Sequence, residues 1–224
     1  MPRHFNRPHI VWGWSGTLAD DVPLQVAAVN AALAALGAPP VDLDTIRHRF
    51  ATSPPALCAA ILGRPLTDRE RARASLVFET HPARRRLTGL LPGTEELLAR
   101  LIRSGCSHSV LSLGAHRRLT QHIAELGADS FFLRIDGRTG PSARSKTQPL
   151  AKHLSALRQT VGDRPVALIG DAVDDIRAAV ANQVQPVPYA GGLTHRDVLR
   201  RSGVPVADNL AEAAALAVEY AHTT

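Results

Sequence analysis

The sequence predicts an α/β fold, a parallel sheet core with an α-helical cap inserted near its N-terminal end. A short apolar strand at residues 9–13 is followed by a long stretch with helical spacing of its apolar residues. From Leu90 onward strand and helix segments alternate, which indicates a parallel sheet with right-handed crossovers. At 224 residues and 45% hydrophobic, the chain can bury one sizeable core or a main domain with a smaller insert.

The charge pattern bears on the class of partner. A formal net charge of +6 raises nucleic-acid binding as a question. Apart from the run Arg84-Arg85-Arg86, the basic residues are scattered and lack interleaved aromatics, which favours a solvated arginine-rich surface. We therefore expect no nucleic-acid partner. The only two lysines, Lys146 and Lys152, gain weight where either falls in a motif.

The sequence also bears on location and redox state. No apolar run approaches the roughly 20 residues needed to span a bilayer, and Met1 to Phe5 lack the apolar segment of a signal peptide. We expect a cytoplasmic protein without a membrane partner. Cys58 and Cys106 lie in unrelated segments without metal-type spacing, so we expect free buried thiols.

The first elements are a strand and a group of helices. His9 to Gly13 form an apolar run closed by the turn residues Ser15-Gly16. Trp12 and Trp14 flank Gly13 on one face, which favours packing in the core or a pocket wall. The apolar spacing from Val22 to Leu36 predicts a helix ending at 37–40, and further helices are expected at 43–50, 55–62 and 68–78. Residues 20–86 thus read as a cap over the ends of the strands.

The remaining elements complete a Rossmann-like core from residues 1–19 and 87–224. Predicted strands are 109–113, 131–135, 166–169 and 185–189. Predicted helices are 95–104, 115–126, 148–161, 174–181 and 210–220.

Four motifs fall at the carboxyl ends of predicted strands, where ligands collect in an open parallel sheet. The first two are Gly13 to Leu18, and Val110 to Gly114 with the hydroxyl of Ser112. The third is Lys146, just before a helix. In the fourth, an apolar strand runs into Gly170-Asp171, with Asp174 and Asp175 after it. Hard carboxylate oxygens of this kind suit Mg²⁺, although acids at a helix N-terminus are also favoured by the helix dipole.

Together these motifs resemble the haloacid dehalogenase (HAD) superfamily. Its first motif, Asp-x-Asp-Gly-Thr-Leu, carries the nucleophile and the acid/base, and one phosphatase-like subgroup reads Trp-Asp-Trp-Asn-Gly-Thr-Leu. The segments Tyr189-Ala190-Gly191-Gly192 and 206–210 are similar to those of phosphoglycolate-phosphatase-type members. The resemblance implies phosphate binding by Gly16, Ser112, Leu113, Gly114 and Lys146, and Mg²⁺ binding by Asp171 and Asp175.

This chain departs from the HAD pattern at the catalytic positions. Gly13 stands where the resemblance implies the nucleophile and Ser15 where it implies the acid/base. Glycine has no side chain with which to attack or to bind a metal, and a serine hydroxyl is too weak an acid for that role. The sequence therefore predicts a pseudoenzyme that binds a phosphorylated small molecule or phosphate, or else a protein partner or a second copy, with Mg²⁺ held weakly. The alternative is an active phosphomonoesterase using water or a non-standard nucleophile.

Overall fold

The computed structural model describes residues 7–49, 51, 53–86, 88–140 and 145–223. Its centre is a parallel sheet of five strands in the order β3-β2-β1-β4-β5. The strands are β1 His9–Trp12, β2 Ser107–Ala115, β3 Arg134–Arg138, β4 Val166–Gly170 and β5 Gln185–Pro188. The order places β1 in the middle, so its loop lies between the ends of β2 and β4.

Helices cover both faces of this sheet. They are α5 Thr94–Arg103, α6 His116–Glu125, α7 Thr147–Val161, α8 Val173–Ala181, α9 Arg196–Arg200 and α10 Leu210–Thr223. On one face Ile10, Trp12 and Ile169 pack with leucines of α5 and alanines of α10. On the other, Val11 and Leu168 pack against α7 and α8. Both Trp12 and Trp14 are buried in the first cluster, as predicted.

Four helices follow β1 directly and form the helical insertion, α1 Val22–Ala35, α2 Leu43–Arg49, α3 Pro54–Leu62 and α4 Asp68–Thr80. They pack around their own apolar cluster, which includes Leu33, Ile46 and Leu57. Prolines in the first turn start α1 and α3, and a capping box of Thr67 and Glu70 starts α4. The predicted end of α2, Phe50, lies outside the described residues, as do Met1 to Phe5.

The helical insertion is attached to the sheet in two places. Where the chain enters and leaves it, the Asp20 N–H donates to the Gly89 carbonyl and Ala19 pairs with Leu90. Near α2, the Arg47 guanidinium donates to the carbonyls of Gly191 and Gly192, at 3.1 and 2.8 Å. The insertion is therefore held over the carboxyl ends of the strands.

The main departure from the predicted elements concerns the third strand. The apolar run 131–135 suggested a strand there, but β3 starts at Arg134 and Phe131 ends a short 3-10 helix, Asp129–Phe131. Phe131 and Phe132 pack edge to face against each other and against the first core cluster, so these apolar residues contribute to packing without being part of a strand. Helix α9 was not predicted because it has five residues, three of them charged.

Two further findings concern the thiols and membranes. Cys58 and Cys106 are both free and buried, as expected. Among the described residues, no helix has the length and apolar character required to cross a bilayer.

Candidate functional site

The loop after β1 shows what occupies the space beside Gly13. Gly13 continues the strand, because its N–H donates to the Ile169 carbonyl at 2.8 Å. Its φ lies outside the positive range, so the backbone there would accept other residues. A Cβ built on Gly13, however, would lie 2.7 Å from the Thr17 hydroxyl oxygen. The buried Thr17 side chain would therefore have to shift to admit a side chain at position 13.

The next turn of this loop is closed by Asp21. Gly16 has a φ of +72° and donates its N–H to the Asp21 carboxylate at 2.9 Å. The second oxygen of that carboxylate accepts from Gln25, whose amide oxygen accepts from Arg84. Ser15 is exposed and lines a cavity. In this arrangement the Gly16 N–H already has an anionic partner.

Asp171 follows β4 directly, and its buried carboxylate is bonded on both sides. One oxygen accepts from the Thr17 hydroxyl at 3.1 Å and the other from the Leu193 N–H at 2.9 Å. A Cβ on Gly16 would lie 2.6 Å from this carboxylate, and one on Gly192 would lie closer still, so it fits only between two glycines. Burial, reinforced by the charge of Asp175, raises the pKa of Asp171 to about 6.

Lys146 joins the two remaining acids. Its ammonium forms a buried ion pair with Asp175, whose other oxygen accepts from the Ala172 N–H at 3.0 Å. Its backbone N–H donates to Asp174 at 2.6 Å, so Asp174 is bonded to the residue that directly precedes α7. The lysine singled out by its rarity thus lies among the predicted acidic residues.

Ser112, Leu113, Gly114 and Lys146 line a cavity of about 200 Å³ between the strand ends and the helical insertion. Asp171, Asp174 and Asp175 also line it. The Ser112 hydroxyl oxygen accepts from the Gly114 N–H at 3.1 Å, which leaves its hydrogen free to be donated to a ligand. The structure thus brings the predicted site residues to one end of the sheet, although Gly13 and Gly16 lie behind the cavity wall.

These residues do not form a ready site for Mg²⁺. Asp171 has both oxygens hydrogen-bonded, Asp175 is paired with Lys146, and Gly13 offers no oxygen from a side chain. Among the described residues, three ligand atoms close enough to share a metal occur elsewhere, on Asp44, His48 and His195. Mg²⁺ requires near-octahedral oxygen ligands, so binding at the strand ends would require these contacts to break.

The sequence was compared with known protein families. Residues 8–182 match the model of the haloacid dehalogenase-like hydrolases. The chain belongs to this family. Phosphoglycolate phosphatase 1 of Pseudomonas aeruginosa is 25% identical over 209 residues, covering 90% of this chain and 76% of that protein. Phosphoglycolate phosphatase of Pseudomonas putida is 29% identical over 195 residues, covering 83% and 70%. The predicted HAD membership and phosphoglycolate-phosphatase-like subgroup are confirmed.

Solved structures of similar fold agree with this assignment. A haloacid dehalogenase-like family hydrolase of Streptococcus pneumoniae superimposes with a TM-score of 0.75 at 19% identity, covering 96% of this chain and 98% of that chain. Protein Tyrosine Kinase A of Mycobacterium tuberculosis gives 0.73 at 23% identity, covering 94% and 98%. At these identities the likeness shows the shared HAD fold, and the two names show that the fold does not determine the reaction.

Three contacts of the HAD-like site were not predicted from the sequence. Thr17 donates to Asp171, Asp21 accepts from the Gly16 N–H, and Asp174 accepts from the Lys146 N–H. Asp21 directly precedes α1 and Asp174 is in the first turn of α8, where acidic residues are common for local reasons. Only the fold shows which groups these side chains bond.

Proposed function

We propose that this HAD-family, phosphatase-like protein is a pseudoenzyme that binds a phosphorylated small molecule. The observation that carries the proposal is Gly13 itself, which stands at the nucleophile position and provides no side-chain carboxylate there. The Thr17 hydroxyl, which donates to Asp171, would lie 2.7 Å from a Cβ at this position and crowds it further. A covalent aspartyl route has no carboxylate to begin from.

The other groups near the strand ends do not replace the lost carboxylate. Ser15 is exposed, and its neutral hydroxyl is too weak an acid to protonate a leaving group near neutral pH. Asp21 is held by Gly16 and Gln25. These contacts support the loss of the usual chemistry with retention of the scaffold.

The anion-binding part of the site is better preserved. Lys146 and Ser112 line the same cavity, and a phosphate there could accept a hydrogen bond from each. We propose that both bind phosphate, with Leu113 and Gly114 shaping the approach. The N–H of Gly16 would contribute only if Asp21 moved away. A protein partner or a second copy of the chain remains the other candidate ligand.

We further propose that residues 1–19 and 87–224 are the core and 20–86 the cap, in a cytoplasmic protein. Support for this division comes from the separate apolar cluster of the helical insertion. The phosphoglycolate phosphatases among the relatives support a phosphorylated small molecule as the ligand class.

A working hydrolase is the second candidate, and one observation favours it. Because the pKa of Asp171 is raised to about 6, this carboxylate could accept a proton from water near neutral pH. Its oxygens are, however, both committed to Thr17 and Leu193. We therefore place this candidate second.

A phosphatase assay separates the two candidates. Wild type and Lys146→Ala would be assayed with Mg²⁺ on a panel of small phosphomonoesters, and inorganic phosphate binding would be followed by melting. The proposal expects no turnover by either protein, and phosphate stabilisation of wild type alone. Losing one charge-assisted hydrogen bond should weaken phosphate binding by roughly 1.5–3 kcal/mol. Turnover that persists through purification and disappears in Lys146→Ala would establish the hydrolase instead.

A further inference from the structure

The cavity has two chemically different ends. One end carries Ser112, Lys146 and the acids of the strand ends. The wall opposite comes largely from the helical insertion, and its apolar part is formed by Val29, Ala51, Pro54, Leu57, Phe78 and Leu193. A ligand that fills the cavity therefore meets polar groups at one end and hydrocarbon at the other.

The uncharged polar groups on the insertion side, Ser53 and Gln25, already have partners within the protein. The Ser53 hydroxyl oxygen accepts from the Ala56 N–H, and both ends of the Gln25 amide are bonded, to Asp21 and to Arg84. A ligand that used either end of Gln25 would have to compete with these contacts, whereas the Ser53 hydroxyl keeps one hydrogen that it can donate.

Arg84 and Glu79 are the charged residues on this side of the cavity. The Arg84 guanidinium lies 4.4 Å from the centre of the Phe78 ring and donates to Gln25 at 2.6 Å. Burial lowers the pKa of Arg84, whereas the charge of Glu79 raises it, so the two residues interact. The Arg84 Nε is buried and has no hydrogen-bond partner among the described residues, which makes a carboxylate ligand the competing possibility.

We infer that the ligand is a phosphomonoester whose organic part is apolar and about the size of one ring. Phosphoglycolate, by contrast, carries a carboxylate in this part of the molecule. A volume of about 200 Å³ is below the roughly 300–1,000 Å³ of pockets for drug-sized ligands, so the body must be small. Burying it against Val29 and Leu57 removes apolar surface from water, which favours binding. This inference rests on the proposed function, because the phosphate must lie at Lys146.

Three phosphonates that share a head group and resist hydrolysis test the ligand class by calorimetry without Mg²⁺. They are methylphosphonate, phenylphosphonate and phosphonoacetate. We expect phenylphosphonate to bind wild type at least about tenfold more tightly than methylphosphonate, and phosphonoacetate to gain nothing. Val29→Thr, of similar shape but polar, should reduce the phenyl preference at least about threefold. Val26→Thr, on the same helix but outside the cavity lining, should leave it unchanged.

The results distinguish a failure of this inference from a failure of the proposed function. If all three ligands depend on Lys146 but bind equally, the inference fails and the proposed function stands. Tighter binding of phosphonoacetate, lost in Arg84→Gln, would overturn the inference in favour of a carboxylate at Arg84. If no phosphonate binds, or if Lys146→Ala changes nothing in a protein that still melts cooperatively, both the inference and the proposed function are wrong.

Discussion

The Lys146 ammonium and the Asp175 carboxylate form an ion pair in which the side chains are only 10% and 5% exposed. It links the start of α7 to the first turn of α8, next to the end of β4. Removal of one partner leaves the other charge buried and unpaired.

The first prediction concerns the stability that depends on this pair. Lys146→Met and Asp175→Asn should each lower the free energy of unfolding by about 3–5 kcal/mol, and the double variant by less than the sum. Urea unfolding of the four proteins measures the coupling. Arg64→Met, which breaks the more exposed pair with Glu70, should change little. Additive losses would show that the two side chains do not interact.

The second prediction concerns Mg²⁺. With Asp171 doubly hydrogen-bonded and Asp175 paired, we expect a dissociation constant on the order of millimolar or weaker. Calorimetry without ligand tests this directly. A micromolar affinity that disappears in Asp171→Asn would contradict the expectation, and would show that the carboxylates rearrange readily around the ion.

The third prediction is that the active site can be repaired. Gly13→Asp with Ser15→Asp should restore a nucleophile and a proton donor, and so hydrolyse a small phosphomonoester. Gly13→Asp alone should be partly active and Ser15→Asp alone inactive. Because a Cβ at position 13 displaces Thr17, the variants at Gly13 should lose about 1–3 kcal/mol of stability.

Gly13→Asn is the matched control for this repair. It has the same shape as the aspartate and meets the same Thr17 hydroxyl, so it should be equally destabilised and have no activity. Kinetics and melting curves are needed together. A folded double variant that binds Mg²⁺ but hydrolyses none of a broad panel would show that more than the nucleophile has been lost.

The fourth prediction concerns pH and the histidines buried at the sheet. His9 donates and accepts through Ser107 and Ser109 at 2.8 Å, and burial lowers its pKa to about 3. Burial likewise lowers the pKa of His108 to about 4. The folded state holds both rings neutral. The contribution of these histidines to the free energy of unfolding is therefore fully present above the unfolded pKa of about 6.5, and it is lost as the pH falls below that value.

Each of the two histidines should therefore cost roughly 2 kcal/mol of stability between pH 6.5 and 5. Asp171 opposes this in part, because protonation relieves a buried carboxylate whose pKa is raised. Urea unfolding at pH 7.5 and 5 measures the net loss. His9→Gln should flatten the pH dependence, while the same change at the exposed His48 should not. An equal effect of both changes would argue against the burial mechanism.

Most core elements were predictable because the strands contain short apolar segments and the longer helices have apolar residues at helical spacing. Four of the five strands and all the longer helices occur near their predicted positions. Two elements were not predicted correctly. The apolar run before β3 packs its two phenylalanine rings edge to face outside the strand, and α9 is a short polar helix. Local pattern alone does not distinguish these cases.

The candidate site was predictable by position but less so by contact. Strand order brings Ser112, Lys146 and Asp171 to the same end of the sheet, as their motifs suggested. That Asp21 would take the Gly16 N–H, or that Thr17 would turn to Asp171, depends on side-chain rotamers and on neighbours distant in sequence. The spacing of apolar residues in the sequence does not indicate which hydrogen-bond partner a polar side chain has.

The glycines around the buried acids make several substitutions conditional on one another. A Cβ at position 16 or 192 overlaps the Asp171 carboxylate, and one at 170 overlaps Asp175. Each of these glycines can therefore be replaced only together with the acid beside it. The nearest neighbours of a Cβ at position 13 are Thr17 and Gly170, so a substitution there requires no change at either acid.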